Sequence, residues 1–287
     1  MAWTMPHRLS DTLRLTPQGD ALTAHLSGDY SNGRLDQPPE TGYPFGGLLA
    51  AMCVQAMRQG LGLTASLRTV SVQYLSAARF DDTLTFRPRL LRGGRTVGSA
   101  AVEAEQDGRL THNASATFGG DAEGPMIAEI AAPPPPLDSL DPAATIAGPM
   151  APRFSQYVEY RFDGGPNILG GNADKPAVER LWMRMADGRP LDDVGLCYLL
   201  DALYPPAWTT TRRPSPMTTV DLRYDILADP TPLTAPDGWA FFEFRMLDLG
   251  LGWTVDDVIC WGADGTPLAL GRQRRKLIPP RRAAREG

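Results

Sequence analysis

Gly46-Gly47-Leu48-Leu49-Ala50-Ala51-Met52-Cys53-Val54-Gln55-Ala56-Met57-Arg58-Gln59 is a helical stretch with almost no polar side. Leu48, Leu49, Met52, Cys53, Ala56 and Met57 recur at helical spacing over more than one face, so the segment must be buried from several directions at once. A helix with that requirement needs a partner that wraps around it. The residues that follow supply one: Ser66 to Leu75, Asp82 to Leu91, Thr96 to Gln106 and Leu110 to Phe118 read as strands, with turn signals at Gly93-Gly94 and Asp107-Gly108. The order is a helix, then an antiparallel meander.

The same succession recurs further along. Val194 to Leu203 repeats the apolar helical pattern and stops at Pro205-Pro206; Met217 to Leu227, Trp239 to Leu247, Val255 to Trp261 and Pro267 to Leu277 form a second meander. Thr69-Val70 and Tyr74 match Thr219-Val220 and Tyr224 at an offset of 150, and Asp107-Gly108 matches Asp264-Gly265 at an offset of 157. Two ordered matches argue for an internal duplication. Between the halves, Gly119 to Pro152 is dense in Ala, Pro and Gly, with Pro133 to Pro136 consecutive, so it can neither propagate a helix nor supply a central strand. The expected organisation is an N-terminal unit over 1–120, a linker over 121–152 and a C-terminal unit over 153–287. A helix of three or four turns is about as long as a curved sheet is wide, so each unit can wrap its sheet around its helix. The fold so expected is an α+β double hotdog: two fused units, each an antiparallel sheet around a central helix.

Composition narrows the function. The 287 residues carry 28 Lys plus Arg against 33 Asp plus Glu, a net charge of −5, which argues against a nucleic-acid partner. The longest apolar run, Gly46 to Val54, is half of the roughly 18 residues a membrane span needs. Met1 to Leu15 lacks the basic-then-apolar order of a secretory signal, so a cytoplasmic chain is expected. Cys53, Cys197 and Cys260 are far apart, and His7, His25 and His112 share no ligand spacing; neither disulfides nor a metal are expected. No G-x-S-x-G elbow, Walker loop or strand-borne G-x-G-x-x-G is present.

What remains is polar residues in apolar places. Asp201 follows Leu196-Cys197-Tyr198-Leu199-Leu200, in a helix the architecture wants buried. Two readings compete: a buried carboxylate, costing several kcal/mol unless partnered, or a frayed end in water before the prolines. The repeat favours the first, because the offset of 150 sets Ala51 opposite Asp201. Gln273 pairs with Ala116 at the offset of 157, although its basic neighbours Arg272, Arg274, Arg275 and Lys276 equally suit a strand facing solvent. Thr219, in Met217-Thr218-Thr219-Val220, is an ordinary strand former and gains weight only from this company.

With these residues in place the sequence resembles the acyl-CoA thioesterase II (TesB-like) family of double-hotdog proteins. The likeness runs through Phe45-Gly46-Gly47-Leu48-Leu49-Ala50-Ala51, Arg68 to Leu75, Gly94-Arg95-Thr96 and Asp107-Gly108-Arg109. It continues in Leu199-Leu200-Asp201-Ala202, Thr219-Val220-Asp221 and Ala269-Leu270-Gly271-Arg272-Gln273. The order of these segments, over some 230 residues, carries the resemblance. It implies a catalytic trio of Asp201, Thr219 and Gln273, with the Thr-Val-Asp alignment preferring Thr219 to Thr218. Where many members carry His before the paired glycines, this chain has Phe45.

The implied reaction is hydrolysis of an acyl-CoA to free acid and CoA, without a cofactor. Asp201 would be the general base or water-orienting carboxylate, and Thr219 and Gln273 the groups that hold the water. Backbone N–H groups of Gly46 and Gly47 could bind the thioester oxygen; the equal alternative is that these glycines only permit close packing. Arg272, Arg274, Arg275 and Lys276 are candidates for the CoA phosphates, with Arg281, Arg282 and Arg285 beyond them in a tail expected to be solvated. A homodimer is expected from the need to cover sheet edges or faces. The competing function is a non-catalytic acyl-CoA or fatty-acyl binding protein with the same fold. A hotdog hydratase is disfavoured, since neither central helix carries a His.

Overall fold

The helix that opens at Gly46 is buried as its sequence demands. A computed structural model describes residues 9–80, 82–121, 124, 127–213 and 215–278; His7, Arg281, Arg282 and Arg285 lie outside the described residues. After a single turn, α1 (Leu9–Thr12), come strands β1 (Thr16–Gln18) and β2 (Ala21–His25), then α2 (Gly46–Leu61). Along α2 every residue from Gly47 to Met57 except Gln55 is buried. Gly62 ends the helix in the left-handed conformation, φ 65°, and returns its N–H to the Arg58 carbonyl.

The first meander is β3 (Leu67–Tyr74), β4 (Thr83–Arg92), β5 (Val97–Gln106) and β6 (Arg109–Gly119). Asp107 and Gly108 both have positive φ, 50° and 69°, the geometry of a tight hairpin whose twist suits its strands. The second half adds β7 (Val158–Phe162), β8 (Val178–Met185), α3 (Asp193–Leu199), β9 (Met217–Ile226), β10 (Ala240–Gly250), β11 (Trp253–Trp261) and β12 (Pro267–Leu277). The two sheets are continuous. One antiparallel sheet of twelve strands runs β1-β2-β4-β5-β6-β3-β9-β12-β11-β10-β8-β7, joined at its middle by the β3 to β9 ladder, with Val70 opposite Tyr224 and Val72 opposite Leu222. Both helices pack on its concave side and against each other. Two-unit hotdog architecture, with central helices in antiparallel sheet, is therefore present in the fold. Among the described residues no helix is long and apolar enough to cross a membrane.

Two local expectations need correction. The second helix, expected over Val194 to Leu203, ends at Leu199; Leu200 caps it and Asp201 sits in the turn beyond. Its apolar run continues past the helix because the turn itself is buried, Leu200 and Ala202 completely. The edge strands β1, β2, β7 and β8 are additions to the two four-stranded meanders.

The Pro-rich stretch crosses the outer face of the second half of the sheet. Trp182 on β8 donates its indole N–H to the Pro135 carbonyl at 3.0 Å, and Trp261 on β11 donates to Ile130 at 2.8 Å. Leu137 and Leu140 pack on the cluster formed by Trp182, Trp239, Phe241 and Trp261. The chain can thereby travel from the middle of the sheet to its far edge without leaving apolar surface exposed beneath it. On the concave side, Phe45 of the first half stacks on Phe154 of the second, centroids 3.9 Å apart, and meets Tyr198 edge-on at 4.8 Å. Where the C-terminal end of α2 meets the start of α3, Arg58 pairs with Asp193, which also accepts the Leu67 N–H.

Close packing at β12 makes one position unusually intolerant. A Cβ on Gly271 would stand 2.5 Å from Val258 Cγ1 and 2.8 Å from Tyr224 Cδ1, both fixed in the core. Gly271→Ala is expected to destabilise the protein by about 1–3 kcal/mol through overpacking, read as a fall in the urea unfolding midpoint. An unchanged midpoint would mean that this part of the core can expand freely.

Candidate active site

Asp201 is a buried carboxylate, 6% exposed, not a frayed end in water. Its place follows from the antiparallel helices: the turn after α3 is brought onto the N-terminus of α2. A Cβ on Gly46 would lie only 2.8 Å from Asp201 Oδ2, so the absent side chain is what admits the carboxylate. Phe45, at the N-cap position of α2, offers no side-chain acceptor to the first turn. The Asp201 carboxylate from the other half stands there instead, where the helix dipole favours negative charge. Tyr74, near the end of β3, closes the opposite side and donates its hydroxyl to the Gly46 carbonyl at 2.7 Å.

Gln273, 2% exposed, donates Nε2 to Asp201 Oδ1 at 2.9 Å and lies 3.4 Å from the Leu200 carbonyl. Its Oε1 has no hydrogen-bond partner among the described residues. Among the described residues Thr219 makes no hydrogen bond to Asp201. A bulge between β9 and β12 skips Val220 and sets Thr219 directly opposite Arg275, and Thr219 Oγ1 accepts from Arg275 Nη1 at 3.1 Å. The structure thus joins Asp201 and Gln273 directly and Thr219 only through a guanidinium.

That guanidinium is the feature the sequence reading missed. Arg275, grouped there with the surface cations, has a side chain only 11% exposed. Its Nη2 lies 3.4 Å from Asp201 Oδ1, and its Nε donates to Asp256 Oδ2 at 2.9 Å. Asp256, on β11 directly across from Gln273, is itself buried. The other three candidates for CoA phosphates stand on the outer face, Arg272 paired with Asp257 and both Arg274 and Lys276 over the Trp253 ring. The signal was strand period: if Gln273 faces inward, so must Arg275, two residues on.

Electrostatics at the site are set by two buried carboxylates that share one cation. Burial drives the Asp201 pKa above the usual carboxylate range, opposed by the Arg275 charge, the Gln273 hydrogen bond and the Gly47 backbone amide. Burial raises Asp256 likewise, against the pull of Arg275. The Tyr74 and Tyr224 hydroxyls are pushed up by burial and by the nearby Asp201 charge, so both remain protonated and neutral. Such a carboxylate, poised above its ordinary range and held by an amide with a free oxygen, is equipped to take a proton from a bound water.

Both halves of the chain are similar to known proteins. The family model described as the acyl-CoA thioesterase C-terminal domain matches residues 131–274, and that of the N-terminal domain matches 35–119. A hot-dog-fold protein of unknown function from Alicyclobacillus acidocaldarius is 23% identical, with a TM-score of 0.84 over 96% of this chain and 100% of its own. A thioesterase candidate from Novosphingobium aromaticivorans is 25% identical, with a TM-score of 0.75 over 92% and 98%. An acyl-CoA thioesterase II from Mycobacterium marinum shares 16% identity and a TM-score of 0.73 over 95% and 99%, a likeness of fold. No curated protein matches the chain in sequence.

Because the Asp201 pKa is raised in the folded state, the native protein binds more protons than the unfolded chain just above the ordinary carboxylate range. Stability from this group is present at low pH and is lost as pH rises through the raised value. Asp201→Asn removes that loss. Urea unfolding should therefore find the variant gaining on the wild type between pH 4 and pH 8; a constant difference across that range would refute the linkage.

Proposed function

The chain belongs to the double-hotdog acyl-CoA thioesterase superfamily, related to the TesB-like proteins, and from this we propose that it hydrolyses acyl-CoA thioesters with a water activated at Asp201. Membership supports hydrolase activity on acyl-CoA; the assignment of roles to individual residues is our own. The observation that carries it is the hydrogen bond from Gln273 to a buried carboxylate at the mouth of a glycine-led helix.

In this scheme Asp201 accepts a proton as water attacks the thioester carbon. Gln273 fixes the carboxylate through Nε2 and keeps Oε1 to accept the second proton of the water in a hydrogen bond. Thr219 orients the site through its hydrogen bond with Arg275. Gly46 and Gly47 open the first turn of α2; we assign the Gly46 amide as the donor to the developing oxyanion, where the helix dipole adds to its effect, while the Gly47 amide holds Asp201. Collapse of the tetrahedral intermediate breaks the C–S bond, and the proton held by Asp201 passes to the departing CoA thiolate. We take 1–120, 121–152 and 153–287 as the unit boundaries, which gives the oxyanion donor to one unit and the base to the other. In oligomeric form the chain is proposed to be a homodimer.

One observation favours the second reading. Arg275 already pairs with Asp201, which is how a structural carboxylate in a non-catalytic acyl-CoA binding protein would be held. Thiol release from short, medium, long and aromatic acyl-CoAs separates the two. Wild type should release CoA, and Asp201→Asn should lose about 10²- to 10⁴-fold in kcat/KM while still folding. Equal rates would remove Asp201 from the mechanism. Binding without release by the wild type would establish the binding protein.

A further inference from the structure

Arg275 has all three guanidinium nitrogens engaged, each by a different group. Nε binds Asp256 at 2.9 Å, Nη2 approaches Asp201 at 3.4 Å, and Nη1 donates to Thr219 at 3.1 Å. The arrangement is built by the sheet. Arg275 lies between Thr219 on β9 and Thr254 on β11, and in the next inward row Gln273 lies between Leu222 and Asp256. These side chains cannot separate without breaking the ladder that aligns them.

We infer that Arg275 and Asp256 act as a charge clamp on Asp201, in which Asp256 competes for the single guanidinium and so decides how readily Asp201 holds a proton. The inference rests on the reading of Asp201 as the base. Arg275 is then a positioning residue, and Asp256, which has no place in the hydrolytic steps, acquires a function at one remove from the substrate.

Charge balance governs the competition for Arg275. Two ionised carboxylates and one guanidinium leave a net negative charge in a region closed to solvent, so the cation cannot fully compensate both. The shorter bond goes to Asp256. Asp201 is left with the longer approach, the Gln273 amide and the Gly47 N–H. Around Asp201 the remaining titratable groups are Tyr74 from β3, Tyr224 from β9, Tyr198 and Cys197 from α3 and Cys53 from α2; burial pushes each of them up and leaves it neutral. Around Asp256 the other charge is Asp257, turned to the outer face and paired there with Arg272. Among the described residues, Arg275 is thus the charge that acts on Asp201, and Asp256 bears on it through that shared guanidinium.

Opposite effects follow from the two partners. Loss of Asp256 removes a negative neighbour and frees the guanidinium, which favours ionised Asp201. Loss of Arg275 removes the only compensating cation among the described residues. The test measures kcat/KM against pH for wild type, Asp256→Asn, Arg275→Gln and Arg275→Lys. In parallel, ¹³C carboxyl NMR follows the aspartate resonance that is absent from Asp201→Asn. Asp256→Asn should move the acid limb and the resonance to lower pH, and Arg275→Gln should move both to higher pH, each by at least tenfold in proton concentration. Arg275→Lys, which keeps the charge but not the three-way fork, should recover part of the shift. Shifts in the same direction, or none, would overturn the clamp. If Arg275→Gln does not fold, Asp256→Asn and Arg275→Lys decide the matter. Should the wild type hydrolyse no acyl-CoA, the thioesterase reading fails while the NMR titration still judges the clamp.

Discussion

A helix that is apolar on nearly every side cannot rest on the surface of a sheet; it has to be enclosed. That requirement of α2 governs the rest of the molecule. Strands β3 to β6 curl around it, α3 covers the side they leave open, and the two halves become one sheet through the ladder between β3 and β9. Enclosure also fixes where chemistry can occur. The flank of α2 is sealed, and polar groups gather at its N-terminus, where unpaired backbone N–H groups tolerate a carboxylate.

The antiparallel helices create two such junctions, and the chain treats them differently. At one, Arg58 and Asp193 form a one-to-one ion pair that also satisfies a backbone amide of β3. Its charges cancel. At the other, Asp201 and Asp256 divide Arg275, and Gln273 retains an unpartnered oxygen. A balanced junction is a fastening, whereas an unbalanced one keeps binding capacity in reserve. The duplicated architecture therefore places a charge-balanced contact and an unbalanced one at related positions.

Much of this was legible in the sequence, for reasons that can be stated residue by residue. The two meanders follow period two closely, and Asp107-Gly108 marks its hairpin by the backbone it requires. Strand β8 was hidden because it lacks alternation: Leu181, Trp182 and Met183 are all buried, two against the helices' side and Trp182 beneath the Pro-rich crossing. The end of α3 was obscured since the turn beyond it is as apolar as the helix. Asp201 and Gln273 could be picked out as polar intruders among apolar neighbours. Arg275 could not, because Arg272, Arg274, Arg275 and Lys276 look like one solvated run until alternation divides it between two faces. Asp256 hides in the same way beside Asp257.

Joining both halves in a single chain alters how the site responds to its surroundings. Gly46 and Asp201 come from different halves, and the segment between those halves is held to the outer face by the indoles of Trp182 and Trp261. Were the halves separate polypeptides, dilution would pull the carboxylate away from the helix that receives it. Tethered along a path already laid down on the sheet, they meet at an effective concentration fixed by the tether rather than by the cell. The integrity of the site is thus independent of how much protein is made, and one half is free to drift in sequence so long as it continues to present a bare helix end to the other.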